Sequence, residues 1–143
     1  MVSNDCLEWL EYARKDISVA DHLYEKQQNP RHRPHEAILF HCQQGAEKAL
    51  KAFIVQGRTF PPKTHDLQDL LSLCIKYNTQ FGKVRIAKHC AFLTPFAVIV
   101  RYPKHSIVLD SVQSERGLNS AKRIYDFVCE RLGLKTIYNP KDI

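Results

Sequence analysis

Apolar side chains recur at three- and four-residue spacing along most of this chain, and this period lets an α-helix bury a single face. The pattern predicts three long helices, over about residues 5–28, 34–56 and 110–132. Two shorter segments, from Thr64 to Ile75 and from Lys83 to Leu93, carry the same period. Because the links between these segments are short, we predict an all-α fold, an up-and-down bundle of four to five helices.

Each predicted helix has one apolar face that is expected to point into the bundle. In the first helix this face consists of Trp9, Ala13, Ile17, Ala20, Leu23 and Tyr24. In the second it consists of Ile38, Cys42, Ala46, Ala49, Leu50 and Phe53. In the fourth it consists of Val84, Ala87, Cys90, Ala91 and Leu93. The second face contains several small side chains, which would allow a neighbouring helix to approach closely.

Residues with particular capping preferences mark the ends of the predicted helices. Pro34 suits the first turn of the second helix, and Gly57 suits its C-terminal cap. Thr64 is predicted to cap the third helix, so that His65 lies in its first turn, where free backbone N–H groups help to bind an anion. The alternative for His65 is a histidine that only packs against the cap. Gly133 is predicted to end the last helix.

Residues 94–105 give a mixed signal. Thr94-Pro95 predicts a kink or a helix restart, whereas the run from Phe96 to Val100 is rich in β-branched residues and is also typical of a strand. An isolated strand would have no pairing partner in this chain, so we predict a helix or an irregular buried segment. Arg101-Tyr102-Pro103 is expected to end it.

The chain is predicted to form one domain over residues 5–133, followed by a loose C-terminal tail over 134–143. Its longest apolar run, residues 96–100, is far shorter than the ~20 residues needed to span a bilayer. The N-terminus lacks the basic start and apolar stretch of a secretory signal, which predicts a cytoplasmic protein. The five cysteines include no CxxC pair, which favours reduced thiols in the core over disulfides.

The formal net charge is +6, which favours an anionic partner such as a nucleotide or RNA, with ordinary solubility charge as the alternative. The candidate binding surface is one polar arc of the predicted second helix, made of His41, Gln44, Lys48 and Lys51. Two ammonium groups, an amide and an imidazole can together hold a phosphate and the edge of a base. The alternative is a solvated helix face on which Glu47 and Lys51 form an i,i+4 ion pair.

The sequence contains no glycine-rich phosphate loop, dinucleotide-binding pattern or nucleophile elbow, so we predict no cofactor. His41-Cys42 and His89-Cys90 are the two candidate pairs of metal ligands. Adjacent residues on a helix point about 100° apart and rarely bind one ion together, so we predict no metal site.

Three motifs follow one another along the chain. The first is HCQQGAEKALKA, from His41 to Ala52, the second is KTHDL, from Lys63 to Leu67, and the third is Arg101-Tyr102-Pro103. In this order they resemble the HEPN domain family. The likeness covers about residues 5–133. It implies a four- or five-helix bundle, usually a homodimer, that binds a nucleotide or RNA. Members are often encoded beside a minimal nucleotidyltransferase and act with it as a toxin–antitoxin-type pair.

The resemblance adds His65, Arg101 and Tyr102 to the candidate ligand-binding residues. Some members are metal-independent ribonucleases, in which an arginine stabilises charge on the phosphate and a histidine transfers a proton. Here these roles would fall to Arg101 and His105. Only three residues separate the two, instead of the four to six typical of the family, and Pro103 interrupts a regular helical turn.

Whether the chain is an enzyme therefore stays open at the level of the sequence. Arg101 closing a structural salt bridge or a helix end, with His105 exposed, is the alternative to a catalytic pair. A further alternative is a non-catalytic helical scaffold whose apolar surface docks a partner protein.

Overall fold

Five α-helices make up most of the protein in the computed structural model, which describes residues 1–99 and 108–140. They are α1 (Asn4–Lys26), α2 (His35–Gln56), α3 (Leu67–Tyr77), α4 (Val84–Leu93) and α5 (Ser111–Arg131). The described residues contain no β-strand. The predicted all-α bundle is confirmed, and the three long helices begin and end within about two residues of their predicted bounds.

The α2 helix lies at the centre of the bundle and contacts each of the other four helices. Its predicted apolar face is confirmed in full, since all six of those side chains are buried. Because α2 has neighbours on several sides, polar residues of this helix, Gln43 and Glu47 among them, are buried too. Because they are buried, Gln43 and Glu47 contact residues of other elements.

Small residues let α2 approach its neighbours closely. Gly45 faces α1, where a β-carbon on this glycine would lie 2.7 Å from Ile17 Cγ1 and 3.3 Å from the Ala13 carbonyl oxygen. On α5, a β-carbon on Gly117 would lie 2.5 Å from Leu39 Cδ2. The close approach expected from the small residues of α2 is therefore present at Gly45.

The predicted inward faces of α1 and α4 are partly wrong. On α1 the buried set is Cys6, Leu10, Ala13, Ile17 and Ala20, and Trp9 is only partly buried. On α4, Ile86, Cys90 and Leu93 face the core, whereas Val84, Ala87 and Ala91 are exposed. A helix of ten residues with small apolar side chains on two sides has no unique apolar period, so its packing against α3 and α5 decides which side is buried.

One of the two caps predicted for the ends of the α2–α3 loop is confirmed, Gly57 after α2, and the other, Thr64 before α3, is wrong. Asp66, not Thr64, caps α3, and its carboxylate accepts the Gln68 N–H at 2.9 Å. Consequently His65 precedes the helix instead of lying in its first turn. Gly57 follows α2 as predicted, but the left-handed conformation falls on the next residue, Arg58, with φ of 62°.

Residues after α4 turn into a short 3-10 helix, Thr94–Ala97, in which Phe96 and Ala97 are buried. This agrees with the prediction of a helix or irregular buried segment for that stretch. Arg101, Tyr102 and His105 lie outside the described residues.

The described part of the C-terminal tail, residues 134–140, is anchored to α5. The prediction of a loose tail is wrong for these residues. The buried carboxylate of Asp126 on α5 accepts the backbone N–H groups of Ile137, Tyr138 and Asn139 at distances from 2.6 to 3.3 Å. A buried carboxylate must find donors, and the tail supplies them.

All five cysteines are free and buried, as predicted. Burial raises the pKa of the Cys6 and Cys129 thiols to about 11, so both are protonated near neutral pH. Within the described ranges, no helix is both long and apolar enough to cross a membrane.

Candidate functional site

A cleft of about 680 Å³ opens between α1, the C-terminal half of α2 and the α2–α3 loop, residues 57–66. We call it the α1–α2 cleft. Its walls combine aromatic rings with cationic groups, and they include Trp9, Tyr12, Lys48, Lys51, Val55, Arg58, Phe60, Pro61, Pro62 and Lys63. Asp5 and Glu8 complete one rim.

Three aromatic rings line this cleft, and two of them are exposed to solvent. Phe60 is 94% exposed, and Tyr12 is also exposed, while Trp9 is partly buried. An exposed phenylalanine between a threonine and two prolines is costly in water and gains nothing for the core. Aromatic faces in this position are suited to stacking against a flat ligand such as a nucleobase.

The lining of the cleft contains more cations than carboxylates. Four cations line it against the two carboxylates of its rim: Lys48, Lys51, Arg58 and Lys63. Asp16 and Glu47 lie behind the cleft and are paired with Lys48 and Lys51, so an anionic ligand would meet Arg58 and Lys63 on the loop. Cations that converge on a concave surface raise the local concentration of an anionic ligand. The arrangement therefore suits a ligand that carries both an aromatic ring and negative charge.

Glu47 is the buried hub behind the cleft. Its side chain is almost fully enclosed, and Oε2 lies 3.1 Å from Lys51 Nζ, which belongs to a residue only 8% exposed. The same ammonium group lies 5.8 Å from the centre of the Trp9 ring. The predicted Glu47–Lys51 pair is present, but the interpretation of it as part of a solvated helix face is wrong, because both residues are buried.

The loop that carries Phe60 is tied to this hub. His65 Nδ1 lies 2.8 Å from Glu47 Oε1, and Gln43 Nε2 donates to the His65 carbonyl oxygen at 2.9 Å. A hydrogen bond between Thr59 Oγ1 and Tyr77 Oη secures the other end of the loop. Arg58, Phe60 and Lys63, which the loop carries, are therefore held in place against α2.

Asp16 forms a second cluster, on the α1 side of α2. Its carboxylate lies 2.8 Å from His41 Nδ1 and 2.6 Å from Lys48 Nζ. Burial pushes the pKa of Asp16 upward, but the hydrogen bonds from His41 and Lys48 outweigh it, so the pKa lies below its ordinary value of 3.8. Asp16 thus holds Lys48 beside the cleft as an ionised partner.

This lowered pKa predicts how acid affects stability. A carboxyl whose pKa is lower in the folded state stabilises the fold above its unfolded pKa, and that contribution is lost as the pH falls through the folded pKa. We expect Asp16→Asn to reduce the loss of unfolding free energy between about pH 5 and pH 2, as measured by urea denaturation. Glu8→Gln, at an exposed carboxyl on the same helix, is the control. Equal acid dependence in Asp16→Asn and wild type would contradict the prediction.

The structure brings some of the sequence-predicted site residues together and separates others. Lys48 and Lys51 line the cleft, whereas His41 and His65 bind the carboxylates behind it. Gln44 donates to Gln43 Oε1 at 2.8 Å and lines no part of the cleft. Arg101, Tyr102 and His105 are not placed, because they lie outside the described residues.

Sequence reasoning missed the aromatic wall and two cations of the loop. The helical period predicts Trp9 as a core residue, and no apolar or polar pattern singles out Tyr12, Arg58 or Lys63. The one signal was Phe60, a large apolar residue beside two prolines and outside any amphipathic segment.

No group of three histidine, cysteine, aspartate or glutamate side chains within residues 1–99 and 108–140 is placed to hold a metal ion. Of the candidate pairs, Cys42 is fully buried and His41 is bonded to Asp16. His89 Nδ1 lies 2.8 Å from Ser120 Oγ. These contacts account for the orientation of both histidines.

Comparisons with known proteins give a family for the sequence and similar structures for the fold. The sequence matches the HEPN domain family over residues 6–132. The fold is similar to that of TT1696 from Thermus thermophilus, with 24% identity, a TM-score of 0.74 and coverage of 90% of this chain and 99% of that one. It is also similar to ST0689, an archaeal HEPN homologue, with 21% identity, a TM-score of 0.69 and coverage of 91% and 99%. No curated protein matches the sequence.

Proposed function

This chain belongs to the HEPN domain family, and from that premise we propose that it is a nucleotide- or RNA-binding module whose ligand enters the α1–α2 cleft. The observation that carries the proposal is the meeting of exposed aromatic rings and cations in one concave site. A nucleotide presents a flat base and a phosphate, and each of these has a suitable partner in the cleft.

The geometry suggests how the ligand would be held. The base stacks among Trp9, Tyr12 and Phe60 at the mouth of the cleft. The phosphates lie toward Arg58 and Lys63 on the loop, whose side chains are more accessible than the buried Lys51. Glu47 and Asp16 take no part in binding, but they position the lysines of α2.

We further propose that the protein acts in the cytoplasm as a homodimer with a minimal nucleotidyltransferase partner, in a toxin–antitoxin-type pair. This part of the proposal rests on family membership. Light scattering is expected to give twice the 16.6 kDa mass of the chain. A monomer at micromolar concentration would contradict the dimer without bearing on the cleft.

Intrinsic fluorescence provides a direct test, because Trp9 is the only tryptophan in the chain. Titration with AMP and ATP is expected to quench this fluorescence as the base stacks on the indole ring. Calorimetric titration with AMP, ATP and short RNA provides the independent measurement of affinity. The proposed function would be refuted if millimolar ligand produced no quenching and no heat.

Phe60→Ala is expected to weaken nucleotide binding about tenfold, since one base–aromatic stacking contact contributes about 1–3 kcal/mol. Phe60→Tyr, which keeps the ring, is the matched control and should retain most of the affinity. Because Phe60 is exposed, neither substitution should change the free energy of unfolding measured in urea by more than about 0.5 kcal/mol. Equal affinities for wild type and Phe60→Ala would exclude Phe60 from the site.

A further inference from the structure

The positive charge of this protein comes from one part of the chain. Residues 70–109 contain six lysines and arginines and no aspartate or glutamate. The rest of the chain contains fifteen residues of each sign, so the net charge of +6 equals that of this segment. Such segregation of charge is typical of a surface that meets a polyanion.

The α4 helix occupies the middle of this segment, and it turns its cations outward. Ile86, Cys90 and Leu93 face the core, whereas Arg85 and Lys88 are exposed. Lys83, which immediately precedes α4, is exposed as well. A helix of ten residues is about 15 Å long, so these cations span a short track and not a single point.

A cation of α5 extends this track along the seam between α4 and α5. Phe81 and Phe127 have ring centres 5.0 Å apart at one end of the seam, and the Arg116 guanidinium lies 4.1 Å from the centre of the Phe92 ring at the other. These two contacts show that α4 and α5 run antiparallel. We call Lys83, Lys88 and Arg116 the basic face.

Three acidic groups of α5 have partners outside the basic face. Asp126 is buried and accepts the backbone N–H groups of the tail. Glu130 lies 3.3 Å from Arg131, and Glu115 is on the side of Tyr24, where it raises the pKa of that phenol together with burial, the larger cause. None of these three contacts therefore involves Lys83, Lys88 or Arg116, although Glu115 and Arg116 line the same shallow cleft.

The α4 part of the basic face exposes little of the apolar surface that a protein interface would need, although Val112, one turn before Arg116 on α5, is 68% exposed. Val84, 69% exposed, is the single large apolar side chain that α4 exposes, and the other exposed apolar residues of this helix are alanines. Protein–protein interfaces bury an apolar centre that is depleted in charge, whereas contacts to nucleic-acid phosphates come mainly from lysine and arginine. The chemistry of the basic face fits a phosphate backbone better than a protein surface.

We propose that the basic face is a docking surface for the phosphate backbone of RNA, separate from the α1–α2 cleft. The choice of RNA over DNA rests on the proposed function. The surface itself does not, since it stands on residues that the cleft does not use. A ligand in the cleft and a strand on the basic face can therefore be measured independently.

Fluorescence anisotropy of a short, unstructured, labelled RNA with the full chain tests this inference. The face variant is Lys83→Ala/Lys88→Ala, and the charge-matched control is Lys26→Ala/Lys135→Ala, which removes two exposed lysines elsewhere. The face variant is expected to weaken RNA binding about tenfold at low salt. It should also make the slope of log K against log salt less steep by about 1.4, because each phosphate contact to a single strand contributes about 0.7. The control variant should bind RNA within about twofold of wild type by the same counting.

Each contrary result overturns a defined part of the inference. Equal RNA affinity of the face and control variants would overturn the basic face. DNA of the same length binding as tightly would overturn the choice of RNA, and polyglutamate competing equally well would point to an acidic protein instead. Absence of RNA binding, with Trp9 still quenched by ATP, would overturn this inference and leave the proposed function standing. Circular dichroism of each variant excludes misfolding as the cause.

Discussion

Glu47→Leu is expected to destabilise the protein by about 3–5 kcal/mol, because it leaves the buried ammonium group of Lys51 without its partner. Both residues are enclosed, with Glu47 4% and Lys51 8% exposed. The substitution also removes the acceptor for His65 Nδ1, which ties the α2–α3 loop to α2. Urea denaturation at neutral pH measures the change in the free energy of unfolding.

The double variant Glu47→Leu/Lys51→Met separates stability from binding. Replacing both members of a buried pair with apolar side chains is often neutral for stability. We therefore expect the double variant to recover most of the lost stability but to bind nucleotide weakly, since the cleft loses Lys51 and the loop that carries Phe60 loses its anchor. A single variant destabilised by less than about 1 kcal/mol would show that the pair is not buried as described.

Gly45→Val is expected to destabilise the protein by about 3 kcal/mol, because the closest approach of α1 and α2 leaves no room for a side chain. A β-carbon at this position would lie 2.7 Å from Ile17 Cγ1 and 3.3 Å from the carbonyl oxygen of Ala13, which is backbone and cannot rotate away. Since α1 and α2 form two walls of the cleft, displacement of the helices should also weaken nucleotide binding.

Gly82→Val is the matched control for this prediction. Gly82 is exposed, has no neighbouring atom within 4 Å of the position of a β-carbon, and lies outside the cleft. We expect its free energy of unfolding to change by no more than about 0.5 kcal/mol. Similar urea midpoints for the two variants would mean that the α1–α2 contact adapts without strain.

Long helices with a wide apolar face could be predicted from the sequence alone. All six residues that the period of α2 picks out are buried. Leu39, Ala52 and Ile54 are buried as well, because a helix with neighbours on several sides buries more than one face. Local rules were less reliable where two residues could fulfil the same role. Thr64 and Asp66 are both good caps, and only the path of the loop selects Asp66.

The candidate site was predicted only in part, for a different reason. Helical spacing placed His41, Gln44, Lys48 and Lys51 on one arc, and in the structure Lys48 and Lys51 do share the cleft. Spacing could not show that His41 is turned toward Asp16, because that carboxylate comes from another helix, 25 residues earlier in the chain. Partners that are distant in sequence leave no periodic signal.

The sequence by itself determined the helices and the family motif, because backbone hydrogen bonding and the period of apolar residues act over a few neighbouring positions. The cleft was decided by tertiary structure. Trp9, Lys51 and Phe60 come from three separate elements, and they meet only because Gly45 lets α1 approach α2 and Glu47 holds the loop in place. Those contacts depend on shape and on burial, and neither is a property of any one segment.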